Sequence, residues 1–97
     1  MTLTTRQRSL LRSRAQHLKP VVHVGREGLS EAVLEALDRA LLAHELVKVR
    51  LLSGDREDRR LALARACTHL DAEPVQSIGR MLVLYRPAPE PRLSLED

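Results

Sequence analysis

Between Gly25 and Gly28 stand Arg26 and Glu27. Two glycines three positions apart free the backbone for conformations that side chains forbid, and they leave room for a ligand to approach the main chain. The guanidinium between them is a planar fork of donors that matches phosphate or carboxylate oxygens. Ser30 and the apolar positions after it predict a helix directly behind the loop. Its free amides and positive dipole end would face the same point. The chemistry on offer is the holding of a phosphate. The same two glycines also suit a plain strand-to-helix turn, and Glu27 adds a negative charge to the loop.

Other reactive side chains do not group in this way. His17, His23, His44 and His69 are scattered, without HExxH or Cys-x-x-Cys spacing. His44 and Glu45 are neighbours in sequence, and neighbouring residues on a helix point apart. Cys67 falls on an apolar helical stripe and is expected to be a small core residue. No nucleophile elbow and no P-loop occurs. The chain is expected to be no enzyme, with no cofactor and no metal.

Charge is distributed unevenly. Residues 1–20 hold Arg6, Arg8, Arg12, Arg14 and Lys19, and the first acid of the chain is Glu27. The remaining eleven Lys and Arg face all thirteen Asp and Glu, so the net charge of +3 is concentrated in the first segment. Such a patch attracts polyanions, nucleic acid ahead of anionic membrane. By strand alternation Lys48, Arg50 and Arg80 extend it if they share its face, with Arg8, Arg12 and Lys19 lined up beside Arg26. Phe and Trp are absent and Tyr85 is the only aromatic. This weighs against recognition of single strands on stacked rings and favours contacts to backbone and shape. Tyr85 is expected to pack at the sheet edge.

The elements that must carry these residues follow from patterning. Thr4 or Thr5 can cap a first helix, with Gln7 completing a capping box from Thr4, and the helix ends near Lys19 before Pro20. Its apolar arc is Leu10, Leu11, Ala15 and Leu18, and Arg14 falls inside that arc. Residues 21–24 read as a β-branched strand. Residues 31–44 read as a helix that buries Val33, Leu34, Leu37, Ala40 and Leu41. Alternation over 46–52 gives a second strand. Ser53-Gly54-Asp55 turns into a third helix over 56–70, with Leu61, Leu63, Ala64, Cys67 and Leu70 apolar. Residues 74–78 and 81–86 flank Gly79-Arg80 as a hairpin. The order α-β-α-β-α-β-β predicts an α+β, two-layer domain with a four-stranded mixed sheet over residues 1–87. A Pro-containing flexible tail is expected at 88–97. With 97 residues there is little room for a second core.

A single cysteine allows no internal disulfide, and no signal peptide or apolar run of about 20 residues is present. The expectation is a soluble, cytoplasmic protein that is a monomer and has no membrane partner.

Several separated blocks resemble one known family. They are Leu18-Lys19-Pro20-Val21-Val22, Gly25-Arg26-Glu27-Gly28-Leu29, His44-Glu45-Leu46-Val47-Lys48-Val49, and Ile78-Gly79-Arg80 with Leu82-Val83-Leu84-Tyr85-Arg86. Together they look like the CRM domain, in particular the stand-alone bacterial YhbY-like proteins, from about Leu3 to Arg86. The resemblance implies a fold similar to the C-terminal domain of translation initiation factor three. It implies RNA binding through the GxxG loop and nearby basic surface. In bacteria it implies association with precursors of the large ribosomal subunit, and in plants a role in group II intron splicing. Carried onto this chain, the RNA contacts are Gly25, Arg26, Glu27 and Gly28, flanked by Arg6, Arg8, Arg12 and Lys19. Two residues depart from the family pattern: Glu27 in the loop, and Arg14 where an apolar residue is expected. The leading expectation is an RNA-binding ribosome-assembly factor that contacts ribosomal RNA. The alternative is a protein-interaction module docking on ribosomal or other proteins through an apolar sheet edge.

Overall fold

The structure is a computed structural model that describes residues 2–95, so Met1, Glu96 and Asp97 lie outside the described residues. Seven elements follow one another: α1 (Thr5–Ala15), β1 (Val22–Val24), α2 (Glu31–His44), β2 (Leu46–Leu51), α3 (Arg56–Leu70), β3 (Glu73–Ile78) and β4 (Met81–Tyr85). This is the predicted order. The sheet runs β1-β2-β4-β3. β1 pairs parallel to β2, while β4 is antiparallel to both β2 and β3. β2 and β3 therefore point the same way with β4 between them.

Side chains alternate across the sheet because successive Cβ atoms leave on opposite faces. Val47, Val49 and Leu51 of β2 and Leu82 and Leu84 of β4 pack with Leu37, Leu41, Leu63, Ala66, Cys67 and Leu70 from α2 and α3. Leu46, Val83, Tyr85 and Val75 face the other way, onto Leu11 and Ala15 of α1. Helices thus cover both faces, and the two-layer expectation is corrected to three layers, α1 on one side and α2 with α3 on the other. The physical reason is visible in β4: Leu82, Val83, Leu84 and Tyr85 are all buried, a continuous apolar run that needs cover on both faces. Tyr85 lies on an inner strand at 1% exposure, not at an edge.

Local chemistry sets the ends. The Thr4 and Gln7 capping box starts α1. α1 stops at Ala15, short of Lys19, and Gln16, His17 and Leu18 close tighter turns onto Ser13, Arg14 and Ala15 carbonyls. Leu18 is therefore off the helix and 37% exposed. Asp55 and Asp58 form a reciprocal capping box for α3. On α3 the buried positions are Leu63, Ala66, Cys67 and Leu70, whereas Leu61 and Ala64 lie outside. An arc centred on Leu63, Cys67 and Leu70 takes in Ala66 rather than Ala64 at helical spacing.

One residue, Glu45, joins α2 to β2. Its φ of 64° lies in the left-handed region, which costs a side-chain-bearing residue about 1–3 kcal/mol. Its carboxylate is buried and accepts from the amides of Ala88, Arg92 and Leu93 at 2.9, 2.8 and 3.1 Å. The Arg92 guanidinium donates to the Leu42 and Ala43 carbonyls at the end of α2. Leu93 and Leu95 pack on the α1-side cluster. Residues 88–95 of the expected tail hold no helix or strand, yet they are fastened at these points, and Glu96 and Asp97 lie outside the described residues. Arg86 joins α2 to the end of α3 through Asp38 Oδ1 and the Leu70 carbonyl, each at 2.9 Å.

Candidate nucleic-acid interface

The loop from Gly25 to Gly28 leaves the C-terminal end of β1. The Gly28 amide donates to the Gly25 carbonyl at 3.1 Å, closing the turn, and Gly28 has φ +69° while Gly25 does not need a left-handed backbone. A Cβ added at either glycine would meet nothing within 4 Å. The loop is thus open to a ligand at both glycines. Behind it, the Ser30 hydroxyl accepts from the Val33 amide at 3.2 Å and starts α2. Arg26 is exposed, and its side chain makes no bond to the described residues. Glu27 lines the crevice between the loop and α3, together with Asp58 and Arg65.

The hairpin bearing Arg80 is tied through Leu52 to the end of β1 from which the loop leaves. The Leu52 amide donates to the Val24 carbonyl at 2.9 Å, and Arg80 reaches the Leu52 carbonyl at 3.2 Å. The parallel register of β1 and β2 sets His23 beside Arg50, and the antiparallel register of β2 and β4 sets Arg50 beside Met81. These residues lie on the α1 side of the sheet. There α1 covers the half that holds Leu46, Val83 and Tyr85. The other half is uncovered: His23 and Arg50 are exposed, Lys48, Gln76 and Met81 half-buried, and Ile78 60% exposed. No acid is among them. An open, basic half-sheet therefore runs from Lys48 past Arg50 to the Arg26 loop and Arg80.

Arg8 and Arg12 of α1 do not join it. Arg8 donates to the Pro74 carbonyl, and Arg12 to the Val75 carbonyl at 3.1 Å. These carbonyls lie at the irregularity of β3 between Pro74 and Gln76. β3 is the edge opposite β1, about 14 Å away across three strand spacings. The expected line of Arg8, Arg12 and Lys19 beside Arg26 is corrected accordingly. Arg8 and Arg12 satisfy main-chain acceptors that the bulge leaves unpaired. Lys19 sits before β1, at the end away from the loop. Arg6 is exposed and has an interaction of its own.

Sequence reasoning passed over Arg56, Arg59 and Arg60 at the start of α3. They line a cleft with Gly79 at the same end of the sheet. The signal was available: β2 is parallel to β1, so the turn after β2 must emerge where the glycine loop does. Their charge is partly spoken for, since Arg60 pairs with Glu57 at 2.5 Å and Arg59 donates to the Gly54 carbonyl.

Ionisation adds no second site. Burial, with a smaller push from the charge of Glu73, raises the Cys67 thiol to about 12. Burial and the Glu45 charge raise the Tyr85 phenol above its usual 10. Burial pushes Glu45 up, but three amide donors and Arg92 outweigh it and the net shift is downward. Among the described residues no three His, Cys, Asp or Glu side chains are placed to hold a metal, and no helix is long and apolar enough to cross a membrane.

The sequence model of the CRS1 / YhbY (CRM) domain matches residues 3–86. The chain belongs to the CRM domain family. This CRM chain is 44% identical over 97 residues to a Pseudomonas aeruginosa protein named "Probable RNA-binding protein", covering all of this chain and 93% of that one. It is 44% identical over 94 residues to a Haemophilus influenzae protein named "RNA-binding protein", covering 97% and 95%. A Staphylococcus aureus protein solved in solution shares the CRM fold with a TM-score of 0.83 and 32% identity, over 92% of this chain and 93% of that one.

Proposed function

We propose that this CRM domain is a non-catalytic RNA-binding protein that acts on ribosomal RNA during assembly of the large subunit. Its grip is electrostatic. Phosphates sit against the open face of the Gly25–Gly28 turn and Arg26, and the strand continues over Arg50 and Lys48, with Arg80 at the flank. The observation that carries this is the unpaired state of Arg50 and Lys48 on an uncovered half-sheet, and of Arg26 in the open glycine loop at which that half-sheet ends. Folded proteins normally neutralise such a set within the chain or mix its signs. The relatives' names agree with this reading at the level of RNA binding. Arg6, Arg8 and Arg12 add long-range field rather than contacts at the loop. The protein acts as a cytoplasmic monomer.

A protein-docking role through the β3 edge is disfavoured by the same geometry. The β3 edge has two of its carbonyls occupied by Arg8 and Arg12, which blunts strand addition there. The test is cosedimentation with ribosomal particles from lysate over a salt series, beside an Arg26→Ala/Arg50→Ala variant. Wild-type protein should track the precursor large subunit, leave it as salt rises, and be lost in the variant. Protein that stays at the top of the gradient at low salt would refute the ribosomal part.

A further inference from the structure

At the end of the sheet away from the glycine loop, where the chain after α1 enters β1 and α2 runs into β2, lies a second concavity of about 370 Å³. Its floor is apolar: Leu18 after α1, Val21 before β1, Leu46 of β2 and Leu93 of the tail. Leu18 and Val21 are 37% and 52% exposed. The rim consists of Arg14, Lys19, His44 and Lys48. No acid lines the groove, and no rim side chain bonds to a described residue. Arg14 stands on the apolar arc of α1, half-buried and unpaired. A bare guanidinium at such a position costs desolvation with no partner in the protein to offset it.

We infer that this groove holds one unstacked nucleotide of the bound RNA, its base on the apolar floor and its phosphate between Arg14, Lys19 and Lys48. The proposal rests on the RNA reading above and says which part of the RNA this end of the domain takes. Four basic groups around an apolar floor complement a flat apolar body that carries an anion, and a nucleotide is that body. The volume is near the lower end of small-ligand sites, too small for a duplex. Bases lacking a Trp, Tyr or Phe platform stack instead on imidazole or guanidinium planes. His44 and Arg14 are the rim groups of that kind. The groove and the loop lie at the two ends of β1, about 13 Å apart along four residues. One strand of RNA can therefore pass Lys48 and Arg50 between them.

The experiment compares equilibrium binding of a short mixed-sequence single-stranded RNA with a blunt RNA duplex of the same length. The proteins are wild type, Leu18→Ala, Arg14→Ala, His44→Ala and Arg26→Ala. None of the three groove side chains bonds to the rest of the chain, so thermal melts should stay close to wild type. Each groove variant should weaken the single strand about tenfold and leave the duplex within about twofold. Crosslinks from RNA bearing 4-thiouridine should fall within residues 14–21 and 44–48. The proposal is overturned, and the RNA reading kept, if Arg26→Ala weakens both RNAs while the groove variants weaken neither, or weaken both equally. An acidic, leucine-containing peptide that binds more tightly than the single strand and is lost in His44→Ala also overturns it. Wild-type protein that binds neither RNA overturns both readings.

Discussion

A Cβ at Gly25 would project into open space, and the backbone there is not left-handed. Gly25→Ala should therefore fold with an unchanged melting temperature and still lose RNA affinity, because the methyl stands where a phosphate must approach the amides. Gly28 has φ +69°, so Gly28→Ala should cost about 1–2 kcal/mol of stability as well, a drop of about 4–16 °C in Tm for a domain of this size. Thermal melts beside anisotropy titrations separate the two. Glu45 supplies a pH signature. Its folded pKa is below the ordinary 4.5, so its stabilisation is fully present above that value and lost as pH falls through the folded pKa. The amides of Ala88, Arg92 and Leu93 should lose hydrogen-exchange protection in that acid window. Glu45→Gln should release them at neutral pH and remove the pH dependence, and a tail indifferent to both changes would refute the latch. Cys67, held at about 12 by burial, should resist thiol reagents until the protein unfolds.

At the scale of elements, α1 both covers the sheet and blunts its edge. Arg8→Ala and Arg12→Ala each remove a bond to a β3 carbonyl and should cost about 1 kcal/mol in denaturant melts. Their RNA affinity should fall less than that of Arg50→Ala. Equal losses from all three would place α1 at the RNA surface after all. Much of this was legible beforehand. The helical stripe from Val33 to Leu41, Ser30 as cap, and the alternation through Val47, Val49 and Leu51 left little freedom for α2 and β2, and the loop's position between β1 and α2 followed. What escaped depends on contacts distant in sequence. Nothing local tells that Arg8 and Arg12 meet residues more than sixty positions on, or that Glu45 meets the tail. Tyr85 and the unbroken apolar run of β4 did signal a sheet covered on both faces. Arg14 broke the apolar arc of α1, and the structure places it on the rim of the apolar groove.

For the whole molecule, charge and cover are separated. The α2 and α3 side closes over the main core, and the α1 side leaves half a sheet bare, with Lys48 and Arg50 unpaired on it and Arg26 unpaired in the loop at its end. A domain built in this way should bind RNA with an affinity that falls steeply with salt, because each neutralised phosphate releases counterions. The most direct measurement is the salt dependence of RNA affinity by fluorescence anisotropy, for wild type and for Arg26→Ala/Arg50→Ala. The account predicts a linear fall of log affinity against log salt in the wild type. In the variant the slope should be shallower by about 0.7–0.9 for each phosphate contact removed, at unchanged Tm. An affinity that ignores salt, or a variant with the wild-type slope, would contradict it.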